Sequence, residues 1–116
     1  KENNIKILNF GHSTCIPNDK KIKLFDGAPF NKAPEIVMKK EHYGPPVDIW
    51  AMGVLLFTML TGKYPYRGAS DSELFDNICR ANYQLPEDVN DSLSKNAKDL
   101  LASMFTPNPD DRPSAR

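Results

Sequence analysis

The sequence predicts a mainly α-helical fold of the α+β class, in which a short N-terminal β-strand pair precedes four to five helices. One β-prone run stands near the start, at 5–8. A nearly uninterrupted apolar stretch fills the middle of the chain, and two later segments have apolar residues at helical spacing. The 116 residues correspond to one domain at most.

Charge and cysteine content restrict the class of protein. The 15 Lys and Arg balance the 15 Asp and Glu, so we expect neither a strongly basic nucleic-acid-binding protein nor a polybasic membrane-surface protein. Cys15 and Cys79 lie too far apart for a zinc finger and are too few for a disulfide scaffold. We therefore expect no nucleic-acid or membrane partner and an intracellular, cytoplasmic location.

The first third of the chain predicts little regular structure. Residues 12–32 are polar and rich in turn-forming residues, which predicts a long loop. Pro34 suits the first position of a short helix over 34–40. The Gly44-Pro45-Pro46 sequence predicts a break before the next element.

The central segment, IWAMGVLLFTML at 49–60, predicts a helix over 47–61 that ends at Gly62. Its length favours a buried core helix, because a membrane span needs about 20 apolar residues. Asp48 at its start would also be costly in lipid. Since apolar residues occupy every side of this helix, we expect protein neighbours on every side and an exposed apolar surface where neighbours are missing.

Two amphipathic helices are predicted in the second half. Ser70 and Glu73 form a capping-box pattern that opens a helix over 70–81. A loop is predicted at 82–90, and Ser94 can cap the next helix. The apolar residues of that helix follow helical spacing. They are Leu93, Ala97, Leu100, Leu101 and Met104.

Four motifs then resemble the lower lobe of a eukaryotic protein kinase. In chain order they are Asn9-Phe10-Gly11, Ala33-Pro34-Glu35, Asp48-Ile49-Trp50-Ala51-Met52-Gly53 and Arg112. The first two resemble the DFG and APE motifs of the family's signature. The residues of these motifs are most similar to those of Ser/Thr kinases of the calmodulin-dependent and AMP-activated-related branch. The resemblance covers essentially the whole chain.

The resemblance implies a partial kinase domain over 1–116, with an activation segment at 9–35 and a helical lower lobe at 36–116. The N-lobe, the Gly-rich loop, the ATP-anchoring Lys and the HRD catalytic loop have no counterpart in the sequence. We therefore assign no catalytic residue and expect no cofactor for this segment alone. ATP and Mg²⁺ are implied only with a functional upstream lobe. The implied partner is a protein: the missing N-lobe, another protein or a second copy held by exposed apolar surface.

The resemblance also implies that several functional positions are degenerate. Asn9 replaces the family's metal-binding Asp, so we expect an impaired metal site. The less favoured alternative is that Asn9 only holds the turn. Ala28, in the substrate loop with Gly27 and Pro29, replaces a hydroxyl residue and can donate no hydrogen bond. Leu24 falls near the usual phosphorylated Thr, which predicts that switching by activation-loop phosphate is lost.

The framework positions, in contrast, match the family. The resemblance implies a buried ion pair between Glu35 and Arg112, for which the planar guanidinium of Arg is well suited. Trp50 and Gly53 are expected in the core of the central helix. Asp48 would lack the catalytic-loop amides that it accepts from in the family.

Two functions follow as hypotheses. The first is an inactive, pseudokinase-like lower lobe that acts as a binding or regulatory module through the helix over 70–81 and the loop before it. The alternative is a segment of an active Ser/Thr kinase that transfers phosphate from ATP to proteins, with its catalytic residues upstream. A helical adaptor unrelated to kinases is a third interpretation, and the ordered motifs argue against it.

Overall fold

The computed structural model describes residues 3–16, 20–23 and 27–116. Over these ranges the chain forms five α-helices and three 3-10 turns. The helices are α1 Pro34–Val37, α2 Gly44–Thr61, α3 Asp71–Cys79, α4 Glu87–Ser92 and α5 Lys95–Met104. The turns are Phe10–His12, Pro29–Asn31 and Pro109–Asp111. The predicted mainly helical fold is confirmed.

The predicted N-terminal strand pair is wrong. In the described part of the chain the only β pairing is an isolated antiparallel bridge between Ile22 and His42. The β-prone run remains exposed, with Ile5 at 96% and Leu8 at 78% of full accessibility. A strand needs a neighbour that accepts and donates its backbone hydrogen bonds, and no described residue pairs with this run.

Helix α2 begins at Gly44, so the predicted break at 44–46 is wrong. Pro45 and Pro46 occupy the first turn, where their missing N–H groups would have had no helical acceptor. The predicted end is confirmed: Gly62 adopts a left-handed φ of 69°, and its N–H donates to the Thr58 carbonyl at 2.8 Å.

Both predicted side-chain caps are present. Ser70 Oγ accepts from the Glu73 N–H at 3.3 Å at the start of α3. The Glu73 carboxylate reaches back to the N–H of Ala69 at 2.8 Å, one residue before the cap. Ser94 Oγ accepts from the Ala97 N–H at 3.2 Å at the start of α5. Local side-chain chemistry therefore fixes where both amphipathic helices begin.

Three other boundaries differ from the prediction. The predicted loop at 82–90 contains the start of α4, a short helix without an apolar repeat whose first turn carries Glu87 and Asp88. Leu93 follows α4 in an extended conformation and is not part of α5. Helix α1 is shorter than predicted because the backbone turns left-handed at Lys39, with φ 53°.

The core lies where α2 packs against α5, and aromatic rings fill it. The Trp50 ring stacks on Tyr66 with centroids 5.5 Å apart and meets the edge of Phe105 at 5.2 Å. Gly53 permits this approach, since a Cβ there would lie 3.0 Å from Phe105 and 3.1 Å from the Cβ of Met104. The predicted core positions of Trp50 and Gly53 are both buried.

The outer face of α2 is open in the described structure. Met52, Leu55 and Met59 are 53%, 59% and 75% exposed, so the helix lacks neighbours on one side. By length and composition alone α2 could cross a membrane: its 18 residues have mean hydropathy 1.3, and 33% of that stretch is buried in the protein. Core helices of soluble proteins meet the same criteria, which makes this a weak indication.

Candidate functional site

The Asn9-Phe10-Gly11 motif forms an exposed turn. Asn9 adopts a left-handed conformation with φ 61° and ψ 63°, which Asn tolerates better than most residues. Its side chain makes no capping hydrogen bond to the turn Phe10–His12. Phe10 is 67% exposed. The turn geometry thus accounts for Asn9 without any ligand.

The surroundings of Asn9 do not fit a magnesium site. An amide oxygen is a neutral ligand, whereas Mg²⁺ prefers charged oxygens held in octahedral geometry. Within 3–16, 20–23 and 27–116 there is no cluster of three or more His, Cys, Asp or Glu side chains that could hold a metal ion. The described residues therefore give Asn9 no cluster of three or more such ligands, and the impaired metal site stays a prediction.

The predicted substrate loop is a second exposed turn. Gly27 has φ 111°, a conformation that favours glycine. Ala28 precedes the turn Pro29–Asn31, accepts from the Asn31 N–H at 3.0 Å and has no side-chain group to donate. Leu24, the position assigned to the usual phosphorylated Thr, lies outside the described residues.

One contact from this loop was not predicted. The Phe30 ring stacks on Tyr64, with centroids 5.0 Å apart and planes 19° from parallel. The stack joins the substrate loop to the segment that follows α2. Because 34 positions separate the two rings along the chain, only the tertiary fold brings them together.

The predicted ion pair between Glu35 and Arg112 is present and buried. Arg112 Nη1 lies 2.7 Å from Glu35 Oε1, and Nη2 lies 2.8 Å from Oε2. Glu35 is 3% and Arg112 8% exposed. The pair is a parallel two-point contact, the geometry that a guanidinium forms best with a carboxylate.

Backbone carbonyls satisfy the rest of the guanidinium. Arg112 donates to Thr106 at 2.8 Å, to Pro46 at 2.9 Å and to Pro107 at 3.1 Å. Together with the two bonds to Glu35, these contacts use all five N–H donors of the side chain. The guanidinium also lies 5.0 Å from the centre of the Trp50 ring. Arg112 thus ties α1, the start of α2 and the segment after α5 together.

The remaining predicted positions divide between surface and core. Ala33 and Pro34 are buried beside Glu35. Asp48 is exposed on α2 and lines a cavity of about 330 Å³ together with residues 12–14 and His42. Its expected lack of catalytic-loop donors stays a prediction.

Two buried polar atoms in the core have no hydrogen-bond partner among the described residues. They are Nε1 of Trp50 and the hydroxyl of Tyr66. Burial raises the pKa of Tyr66 well above the usual range of a phenol. No sequence pattern marks an unsatisfied hydroxyl, because the lack of a partner is a property of the packed core.

The Glu35–Arg112 pair is expected of a kinase lower lobe, and it joins residues 77 positions apart. A comparison of the whole sequence with known families supports the same assignment. A family profile described as "Protein kinase domain" matches residues 1–116. The chain belongs to the protein kinase family. The earlier motifs are thus those of a kinase lower lobe.

Individual relatives place the chain in the Ser/Thr, AMP-activated-related part of the family. It is 39% identical over 108 residues to the probable serine/threonine-protein kinase MARK-A of Dictyostelium discoideum, covering 93% of this chain and 10% of that protein. It is 38% identical over 109 residues to human NUAK family SNF1-like kinase 1, covering 94% of this chain and 16% of that protein. The chain is also 38% identical over 111 residues to the mitosis inducer protein kinase cdr1 of Schizosaccharomyces pombe. The match covers 96% of this chain and 18% of that protein.

The chain therefore spans about a tenth to a fifth of the length of the curated relatives it matches. Family membership and the kinase-type lower lobe rest on the matched residues themselves. The activity, the substrates and the partners of a whole protein depend on more than these residues, and they belong to the proposals that follow.

Proposed function

We propose that this kinase lower lobe is catalytically degenerate and acts as a binding or regulatory module. The observation that supports the proposal is a contrast within one segment. Asn9, at the metal position, is an exposed amide in a turn, whereas Glu35, at the other end of the same segment, is buried in a fully hydrogen-bonded ion pair.

The loss at Asn9 is large on electrostatic grounds. A carboxylate would bring a full negative charge to Mg²⁺, and an amide brings none. At 4 Å and an effective dielectric constant of 20, one unit charge contributes about 4 kcal/mol. Removal of that charge weakens metal affinity by orders of magnitude, which makes phosphoryl transfer through this site slow.

Other positions in the segment also support catalytic inactivity. Ala28 has no hydroxyl for a catalytic Asp, and Asn31 stands where the family has Tyr. Leu24 cannot be phosphorylated, so ordering of the segment by a phosphate and arginine contacts is also lost. Each change alone is tolerable, but all of them concern the chemistry and none concerns the framework.

The alternative function is a segment of an active Ser/Thr kinase, with ATP and Mg²⁺ bound by residues upstream of these. The intact framework favours it, as does similarity to proteins described as kinases. Under both functions we propose an intracellular, cytoplasmic location. The protein partner is a kinase N-lobe, another protein or a second copy that covers the open face of α2.

Phosphoryl transfer by the whole natural polypeptide that contains this segment tests the proposal. With labelled ATP, Mg²⁺ and a Ser/Thr peptide mixture, we expect no turnover above the heat-denatured sample. Turnover would contradict the proposal and establish the alternative.

A second arm measures Mg²⁺-dependent ATP binding by calorimetry. Asn9→Asp should strengthen it at least tenfold, because the variant restores the charged ligand. The matched control Asn96→Asp adds the same charge on the exposed surface of α5 and should change nothing. An equal gain in both variants, or no gain in Asn9→Asp, would contradict the assignment of Asn9 to the metal position.

A further inference from the structure

A cleft of about 550 Å³ lies between the segment after α2 and the segment after α3. We call it the 63–86 cleft, after the first and last residues of the two segments that form most of its wall. Its volume is within the range of ~300–1,000 Å³ typical of ligand pockets. It does not include Asn9, Ala28 or any other position used to argue inactivity.

The charged side chains of the 63–86 cleft all have the same sign. Lys63 and Arg67 line it, and no Asp or Glu does. Both cations are exposed, and among the described residues neither takes part in an ion pair. In a chain with 15 acidic and 15 basic residues, an uncompensated pair of cations in a concave surface produces a local positive potential.

Hydrogen bonds hold both walls of the cleft in place. The Asn77 amide donates to the Arg67 carbonyl at 2.8 Å and accepts from the Asn82 amide at 3.2 Å. The Asn82 backbone N–H donates to the Asn77 carbonyl at 2.9 Å. At the other end, the Lys63 N–H donates to Thr61 Oγ1 at 3.1 Å. A wall fixed in this way loses little conformational entropy when a ligand binds.

The cleft also has apolar and amide surface between the charges. Tyr64 forms part of the wall and is itself fixed by its stack on Phe30. Leu85 and Pro86 face the cleft from the second segment, with the amide of Gln84 beside them. Such a mixture of apolar and amide groups suits a polypeptide backbone with side chains of moderate size.

We propose that the 63–86 cleft binds an acidic peptide segment of a partner protein. Carboxylates of the partner pair with Lys63 and Arg67, and an adjacent apolar side chain packs on Tyr64 and Leu85. The proposal rests on the binding role proposed above, since it names a surface and a partner chemistry for that role. It needs no bound metal or nucleotide.

The number of cations favours a peptide over other anionic partners. Proteins that bind double-stranded DNA commonly neutralise ~6–10 phosphates, and lipid-binding clusters hold ~4–8 Lys or Arg. Two cations in a partly apolar cleft are few for either surface. They are sufficient for two carboxylates of one peptide, where charge determines the choice of partner and apolar contact adds affinity.

Fluorescence polarisation with three labelled peptides tests the proposal on the whole natural polypeptide. The first peptide alternates Glu with Leu and Phe; the second replaces each Glu by Gln, and the third replaces each Glu by Lys. We expect the Glu peptide to bind at least tenfold more tightly than the other two at low salt. Its affinity should fall at 0.5 M salt, because exposed charges are then screened.

The double variant Lys63→Glu/Arg67→Glu should weaken binding of the Glu peptide at least tenfold. The matched control Lys6→Glu/Lys20→Glu makes the same charge change at two exposed lysines outside the cleft and should bind as the unmodified protein does. All four side chains are exposed, so circular dichroism should show the same fold in both variants.

Three results would overturn the inference. They are equal binding of the Glu and Gln peptides, unchanged binding in Lys63→Glu/Arg67→Glu, and an equal loss in the control variant. Competition by RNA or anionic vesicles at lower concentration than by the Glu peptide would also overturn it, because the ligand would then be a polyanion.

The same samples carry the phosphoryl-transfer assay. Turnover together with charge-dependent peptide binding would contradict the proposed inactivity and support the cleft. If neither turnover nor peptide binding is observed, the proposal for the cleft is overturned and the proposed inactivity stands. The failures of the two proposals are therefore distinguishable.

Discussion

Residues 3–16 and the chain around the Ala33-Pro34-Glu35 motif differ in burial and in regular structure. Every residue of 3–16 is exposed, and its only regular element is one 3-10 turn. Ala33 and Glu35, in contrast, are 0% and 3% exposed, and Arg112, near the other end of the sequence, pairs with Glu35. The stability of this lobe therefore depends on the framework, and the exposed turn at Asn9 can change its chemistry at little cost.

Removal of the guanidinium is expected to give the largest effect. Arg112→Ala leaves the buried Glu35 carboxylate without its partner and removes five hydrogen bonds, which should lower the free energy of unfolding by about 3–5 kcal/mol. Arg112→Lys should recover only part of this, because an ammonium cannot form the two-point contact. Urea denaturation of the chain measures both.

The exposed pair between Lys95 and Asp99 is the control for that prediction. Its atoms lie 2.6 Å apart, closer than those of the buried pair, but both side chains are more than half exposed. Lys95→Ala should therefore lower the free energy of unfolding far less than Arg112→Ala does. If Lys95→Ala and Arg112→Ala lowered the free energy of unfolding equally, burial would not distinguish the two ion pairs.

Gly53→Ala is expected to have the next largest effect. The added methyl group would lie 3.0 Å from Phe105 and force α2 and α5 apart. We expect a net loss of about 1–2 kcal/mol, because overpacking exceeds the gain in helix propensity. The melting temperature should fall accordingly. A rise in melting temperature would mean that Phe105 moves aside without cost.

One substitution in the core, Tyr66→Phe, is expected to raise stability. Tyr66→Phe removes a buried hydroxyl that has no hydrogen-bond partner among the described residues, and should stabilise the fold by about 1 kcal/mol. Thermal unfolding at pH 7 measures the difference. Loss of stability would show that the hydroxyl has a partner, such as a buried water molecule.

Tyr66 should also make the stability of the fold depend on pH. Because burial raises the pKa of Tyr66 in the folded state, the folded chain keeps its proton above pH 10, where the unfolded chain begins to lose it. The contribution of Tyr66 to stability is therefore constant below about pH 10 and falls above it. The fall should be shallower in Tyr66→Phe, in which the smaller contribution of Tyr83 remains.

The smallest effect on stability is expected at the motif position. Asn9→Asp changes an exposed turn residue, so the free energy of unfolding should change by less than about 0.5 kcal/mol. Urea denaturation of the variant beside Arg112→Ala sharpens the comparison. A change of several kcal/mol would show that the turn at Asn9 is part of the framework.

Local chemistry accounts for what the sequence could predict of the fold. Ser70 and Ser94 act on amides three residues away, and the apolar stretch of α2 identifies it without tertiary information. The β-prone run at 5–8 misled the prediction because strand formation depends on a neighbour. Helix α4 was missed because six residues show no apolar repeat.

The candidate site divides in the same way. The pairing of Glu35 with Arg112 was predictable only through the family resemblance, because 77 positions separate the two residues. The three carbonyl acceptors of Arg112 and the stack of Phe30 on Tyr64 carry no sequence signal. The 63–86 cleft likewise forms only when two distant segments are packed together.

We propose that this kinase lobe keeps its framework while its metal and phosphate positions are replaced. The most direct measurement is the rate at which the whole natural polypeptide transfers phosphate from Mg²⁺–ATP to protein Ser or Thr. We expect a rate equal to that of the heat-denatured sample. A Mg²⁺-dependent rate above that level would contradict it.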